Sequence, residues 1–137
     1  MTADFTRAIK SYKQWFGSYK ASGELKQIQV WLTVREGLIE FLTDGNSYKV
    51  KRLRRNPRVV CNLGRQDGPV VEGVAEIVTD AEAANRIYQA YWKTHRLMML
   101  VLSSSISRKI KSGTQVVIRV RPDDPNPIAG VTDPLLR

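Results

Sequence analysis

The sequence predicts a mainly β domain: a six-stranded antiparallel barrel with flanking helices. Three observations predict it. Stretches alternating apolar and polar side chains recur at short spacing, and this favours hairpin-like antiparallel pairing over the helical crossovers of a parallel sheet. Only one long amphipathic helix stands out, ending near Thr94. A chain of 137 residues with ordinary globular composition and no internal repeat makes one domain, 1–137, with its own core.

Taken in order, Asp4–Lys13 suits a short amphipathic helix with Phe5, Ala8, Ile9 and Tyr12 on one side. The aromatic-rich stretch Gln14–Lys20 reads as the first strand, with a longer N-terminal helix as the alternative, and Ala21–Glu24 as a turn in which Gly23 takes positive φ. Ile28, Val30, Leu32 and Val34 then alternate with Gln27, Gln29, Trp31 and Thr33 in one strand with an aliphatic inner face. Arg35-Glu36-Gly37 turns the chain back into Leu38–Thr43. Val59–Leu63 and Val70–Val78 follow as strands, the second interrupted by Gly73, which marks a bulge or something approaching the backbone closely.

Thr79-Asp80-Ala81-Glu82 is a capping-box signature, opening a helix packed through Ala84, Ile87, Tyr88 and Tyr91. Leu97–Lys111 has no clear period: it is apolar, then serine-rich, with only Ile106 and Ile110 at helical spacing. Thr114–Arg121 closes the barrel, and an irregular proline-rich tail runs from Pro122.

The net charge of +9 is concentrated. From Gly45 to Gln66 there is no Asp or Glu, while Lys49, Lys51, Arg52, Arg54, Arg55, Arg58 and Arg65 all fall there. An anionic partner is expected to touch this segment. Ser47 is the expected N-cap of a helix over Tyr48–Arg55 that stops before Pro57. At about 100° per residue, Val50 and Leu53 define its packed side. Lys51, Arg52 and Arg55 then face solvent, and Lys49 and Arg54 flank the packed face. A helix N-terminus with a serine and a first-turn lysine is a natural phosphate site. A merely solubilising basic helix is the plainer alternative, against which stand the missing acids and the Thr43–Ser47 turn.

Other chemistry is sparse. Cys61 is the single cysteine and His95 the single histidine, so neither an internal disulfide nor a metal cluster is expected. Cys61 lies in an apolar strand pattern and reads as a buried small hydrophobe. His95, just past a helix, reads as a partner of the helix dipole. No nucleophile–base pair is visible, so no catalytic residue is assigned; this suits an enzyme whose chemistry comes from a cofactor. The N-terminus lacks a signal-like apolar core, and Leu97–Leu102 is far short of the roughly 20 residues that span a bilayer. A cytoplasmic protein with no membrane partner is expected.

The run Phe41-Leu42-Thr43-Asp44-Gly45-Asn46-Ser47-Tyr48-Lys49, continuing to Asn56-Pro57-Arg58-Val59, resembles the split β-barrel flavin-binding family that includes pyridoxamine 5′-phosphate oxidases. Val71-Glu72-Gly73-Val74-Ala75-Glu76 and Gln29-Val30-Trp31 match two further strands of that family in the right order. The basic run and the Gly68–Gly73 strand look most like its deazaflavin (coenzyme F-420)-dependent oxidoreductase branch. Tyr48 stands where the pyridoxamine phosphate oxidases carry arginine, and Gln29 replaces a common proline, so vitamin B6 oxidation is not implied.

The resemblance implies a six-stranded split barrel and a homodimer with cofactor sites at the subunit interface. It implies a cofactor phosphate held by Thr43, Ser47 and Lys49, with Tyr48, Lys51, Arg54 and Arg55 as neighbouring cofactor positions. Trp31 would wall the ring or the substrate pocket, and Gly73 would approach the cofactor. The implied activity is hydride transfer between reduced F-420 and an unidentified small organic substrate. FMN is the second cofactor, since a single phosphate would leave the outer charges unused. A haem-binding relative has no ligand beyond His95. The rival class is a basic nucleic-acid-binding barrel, weakened by the lack of interleaved exposed aromatics. A cofactor-storing protein without turnover is a third reading.

Overall fold

The computed structural model describes residues 14–124, so the expected helix over 4–13 and nearly all of the tail lie outside the described residues. Seven strands and three helices follow in the order β1 Gln14–Tyr19, β2 Leu25–Val30, β3 Thr33–Arg35, β4 Leu38–Asp44, α1 Tyr48–Arg55, β5 Arg58–Asn62, β6 Val70–Val78, α2 Ala81–Thr94, α3 Arg96–Ser112 and β7 Gln115–Pro122. All pairings are antiparallel, in one sheet of order β2-β1-β5-β6-β7-β4-β3.

The two edge strands, β2 and β3, are separated in the chain by Trp31 and Leu32 alone. Two intervening residues reach roughly 10 Å, so the sheet curls until its edges nearly meet. The result is a barrel with a seam at Trp31.

The seam makes seven strands where six were expected. The apolar–polar alternation runs unbroken through Trp31, but the chain changes partner there, from β1 to β4. β3 pairs Thr33 with Glu40 and Arg35 with Leu38, and continuing that register would set Trp31 opposite Leu42. Instead the Tyr91 hydroxyl occupies the gap. It accepts from the Leu42 N–H at 2.8 Å and donates to the Trp31 carbonyl at 3.0 Å. A side chain from α2 thus replaces a ladder contact, and β3 ends.

The β3–β4 hairpin turns on Glu36 (φ 52°) and Gly37 (φ 76°), both left-handed, as in the two-residue turns whose twist matches paired strands. Inside the barrel, Phe16, Val34, Ile39, Phe41, Val59, Cys61, Ile118 and Val120 form the core, joined by Val50 and Leu53 from α1. Phe16 and Phe41 meet edge to face at 4.8 Å. Cys61 is fully buried and burial pushes its thiol up to about 12, so it is an inert apolar residue. Outside the barrel, α2 and α3 cover Val117 and Leu42 with Ala84, Ile87, Tyr91, Met99 and Ile110.

Glu40 points to this outer layer with 1% side-chain exposure. There it is ion-paired to Arg119 (2.9 Å), Arg86 (3.4 Å) and Arg35 (3.5 Å). Two helix details differ from expectation. Asp80, not Thr79, caps α2, its carboxylate accepting from the Glu82 N–H, because the aspartate already satisfies a first-turn donor. The illegible stretch after Leu97 is a 17-residue helix ending at left-handed Gly113. Among the described residues no helix is long and apolar enough to cross a membrane.

Candidate functional site

The site begins where β4 ends. Thr43 faces inward and is buried; Asp44 then organises the turn, its carboxylate accepting from the Asn46 N–H at 2.8 Å and its carbonyl from the Ser47 N–H at 3.0 Å. Gly45 N–H bonds the Thr114 carbonyl at 2.7 Å, tying the turn to the start of β7. Ser47 caps α1, its hydroxyl accepting from the Val50 N–H at 3.4 Å. With Val50 driven into the core, the preceding residue, Lys49, is carried to the edge of the barrel beside Thr43.

There a cleft of about 260 Å³ opens, lined by Thr43, Lys49, Trp31, Gln29, Tyr91 and Gln115, with Leu42, Leu102 and Ile106 as apolar walls. Six elements and the seam converge on it. Lys49 is half-buried, and its pKa is lowered chiefly by desolvation and then by Arg52, with Asp44 opposing. No described carboxylate lies within ion-pair distance of Lys49, so an anion entering the cleft relieves a cation that the fold has partly dried.

The lining is also aromatic, through Trp31 and Tyr91. Trp31 stacks on His95, with centroids 4.2 Å apart and planes 15° apart, and meets Tyr91 edge to face at 5.2 Å. Burial holds the Tyr91 phenol well above its usual range, only partly offset by the Leu42 N–H, so the hydroxyl stays protonated and keeps its bond to Trp31. Burial pushes His95 down to about 4, which makes it neutral at physiological pH; its Nδ1 lies 2.8 Å from the Thr94 hydroxyl. The dipole-partner role expected for His95 gives way to stacking, because the residue sits between two helices as the cap of both.

Of the residues singled out by sequence, Trp31, Thr43 and Lys49 line the cleft together. Ser47 lies beside it, with its hydroxyl engaged in capping. Tyr48 is 75% exposed, under the Lys51 ammonium at 5.3 Å from its ring. Lys51, Arg54 and Arg55 are exposed on the outer side of α1, and Arg55 donates to the Tyr19 carbonyl at 3.3 Å. The half-buried arginine is Arg52 rather than Arg54, which stands at the helix end where the chain leaves toward Pro57.

Gly73 lies in β6, between Val59 and Pro122 and away from the cleft. A Cβ there would stand 2.4 Å from the Arg121 carbonyl oxygen, so close approach of β7 accounts for the glycine. Sequence reasoning missed Tyr91, Gln115, Leu102 and Ile106 as cleft residues. Each comes from a distant element, and no local signal marks it.

The charge pattern also resolves. Arg58 forms a two-pronged ion pair with Asp123, and Arg65 pairs with Asp67 at 3.1 Å. The five cations of α1, Lys49, Lys51, Arg52, Arg54 and Arg55, pair with no described carboxylate.

No family model and no curated protein matches this sequence. Solved structures do. A conserved hypothetical protein from Mycobacterium tuberculosis, Rv2991, is similar at TM-score 0.71 and 23% identity, over 90% of this chain and 82% of that one. An F420 reductase is similar at TM-score 0.60 and 15% identity, over 90% and 97%. An FAD-binding protein from Mesorhizobium loti is similar at 0.57 and 16%, over 90% and 91%. At these identities the likeness is one of fold, and the fold of this chain is that of the split β-barrel proteins its motifs resemble.

Proposed function

We propose that the protein is a cytoplasmic, homodimeric oxidoreductase that moves a hydride between reduced coenzyme F-420 and a small organic substrate, with FMN as the second cofactor reading. One observation carries this: Lys49 and Thr43 share a cleft with Trp31, so an anion-holding group and an aromatic wall face the same small volume. A point-charge ammonium suits a phosphate oxygen without fixed planar geometry. A bound deazaflavin or flavin supplies the hydride chemistry, which explains the lack of a nucleophile–base pair.

The chain's own residues bind, orient and dry the site. Lys49 and the Thr43 hydroxyl hold the phosphate at the end of β4, and the Trp31 indole limits the plane in which a ring can lie. Tyr91 fixes Trp31 by holding its carbonyl. The cleft, about 260 Å³, is smaller than the roughly 300–1,000 Å³ of a complete small-molecule site, which supports a second copy completing it. Leu100 and Val101 on α3, 67% and 75% exposed, are apolar surface available to that copy. The outer cations Lys51, Arg54 and Arg55, which pair with no described carboxylate, support F-420 over FMN, because its acidic glutamyl tail gives them a partner.

The test is an absorbance and fluorescence titration of the full chain with F-420, FMN, haem and a single-stranded oligonucleotide. F-420 is expected to bind tightest. Lys49→Ala should weaken it by about tenfold or more, as for loss of a charge-assisted bond, and Lys51→Ala by about twofold, as for an exposed charge. Tight oligonucleotide binding with no response to any cofactor sinks the proposal. Equal losses in the two variants would make α1 a diffuse charge patch.

A further inference from the structure

A second hollow, of about 540 Å³, lies beyond Trp31 and is lined by Gln29, Trp31, His95, Arg96, Leu97 and Met98, with the buried Thr94 behind His95. It meets the cleft at two shared residues, Gln29 and Trp31. Its chemistry is different. Where the cleft presents a lysine and a threonine, the hollow presents two aromatic rings and two apolar side chains.

We infer that this hollow is a binding site for a planar aromatic acid, the substrate-side chamber of the same active site. Three features carry the inference. Trp31 and His95 already lie parallel at 4.2 Å, so a flat ring entering the hollow extends an existing stack by the offset geometry aromatic rings prefer. Leu97 and Met98 in the lining are 79% and 50% exposed, so the chain leaves apolar surface of the hollow uncovered. Methionine in particular adapts to ring edges. Arg96 is the one charged residue in the lining, and no carboxylate accompanies it. A guanidinium fork pairs with a carboxylate through two parallel bonds.

His95 is neutral under physiological conditions, so it adds a flat surface rather than a second charge. The substrate label rests on reading the neighbouring cleft as the cofactor site. The site itself stands on the hollow's own walls.

The experiment titrates 2-naphthoate, and the uncharged 2-naphthalenemethanol, into the full-length protein by calorimetry, with and without F-420. The wild type should bind 2-naphthoate in preference to the alcohol. Met98→Trp, which fills the hollow from an exposed position, should abolish naphthoate binding while leaving the F-420 titration unchanged. Arg96→Gln should weaken 2-naphthoate by about tenfold, to the level of the alcohol. Lys49→Ala should leave naphthoate affinity as it was.

Three outcomes overturn the inference: no binding of 2-naphthoate, binding indifferent to Met98→Trp, or binding lost with Lys49→Ala, which would put the acid in the charged cleft. Failure of F-420 to respond to Lys49→Ala, with naphthoate still blocked by Met98→Trp, overturns the cofactor reading while supporting the hollow as a site.

Discussion

Replacing Tyr91 by phenylalanine removes one oxygen atom and nothing else, which makes it a clean probe of the barrel seam. The ring is 3% exposed and packs with Ile87, Met99 and Val117, and all of that packing survives the substitution. Two hydrogen bonds are lost, from the Leu42 N–H at 2.8 Å and to the Trp31 carbonyl at 3.0 Å. The carbonyl can tilt toward the cleft and find water. The Leu42 N–H, part-buried at the seam, loses the hydroxyl as its acceptor. At about 1 kcal/mol for each net bond, plus up to about 2 kcal/mol for a part-buried donor left without an acceptor, Tyr91→Phe should cost roughly 2–4 kcal/mol. That is a large share of the roughly 5–15 kcal/mol a domain of this kind has in total.

Urea unfolding should show a lower midpoint with an unchanged slope. Amide exchange should show Leu42 losing protection while its neighbour Phe41, directed at β7, keeps it. A loss below about 0.5 kcal/mol, the noise of such measurements on a surface site, together with a Leu42 amide still protected, would refute the claim that the hydroxyl holds the seam.

Glu40→Ala should destabilise by about 2–3 kcal/mol in urea, below the full cost of stranding a buried charge because Arg35 and Arg86 reach water; Glu40→Gln should fall between the two. Gly73→Ala should lower stability by about 1–3 kcal/mol through its clash with the Arg121 carbonyl. It should leave cofactor affinity intact in the folded fraction; the reverse pattern would return Gly73 to the cofactor. For His95, the folded pKa of about 4 lies below the ordinary histidine value of 6.5, so the neutral ring is favoured on folding. Its contribution is therefore fully present above pH 6.5 and is lost as pH falls toward 4. Urea midpoints of His95→Phe, which keeps a ring on Trp31, should fall less than wild type across that window; parallel curves would show that His95 is already solvated.

What the sequence could reveal was local. Ser47, Val50, Leu53 and Pro57 sit within one short segment, so the cap, packed face and stop of α1 are all legible from spacing, and Lys49 and Thr43 come with them. The β2–β3 break was not legible, because the signal that ends the strand is a hydroxyl 60 residues away in sequence. α3 escaped for a different reason. Periodicity reads a helix through the face it buries, and α3 buries Met99 and Ile110 while exposing Leu97, Leu100 and Val101. For Gly73 the close approach to its backbone was legible, but not that the β7 backbone makes it. Gln115 and Ile106 reach the cleft only because β7 pairs with β4 and α3 folds over both.

Since both free edges of the sheet belong to one run, Leu25–Arg35, the barrel is closed by a clasp rather than by a ladder. A clasp held by one phenol is where such a ring should breathe first, through opening events far cheaper than global unfolding. Trp31 is the tongue of that clasp and also the wall of both hollows, so any molecule that packs on it is a fastener. Its binding energy is then stored as ring closure, and ligand concentration becomes a dial on how often the barrel opens.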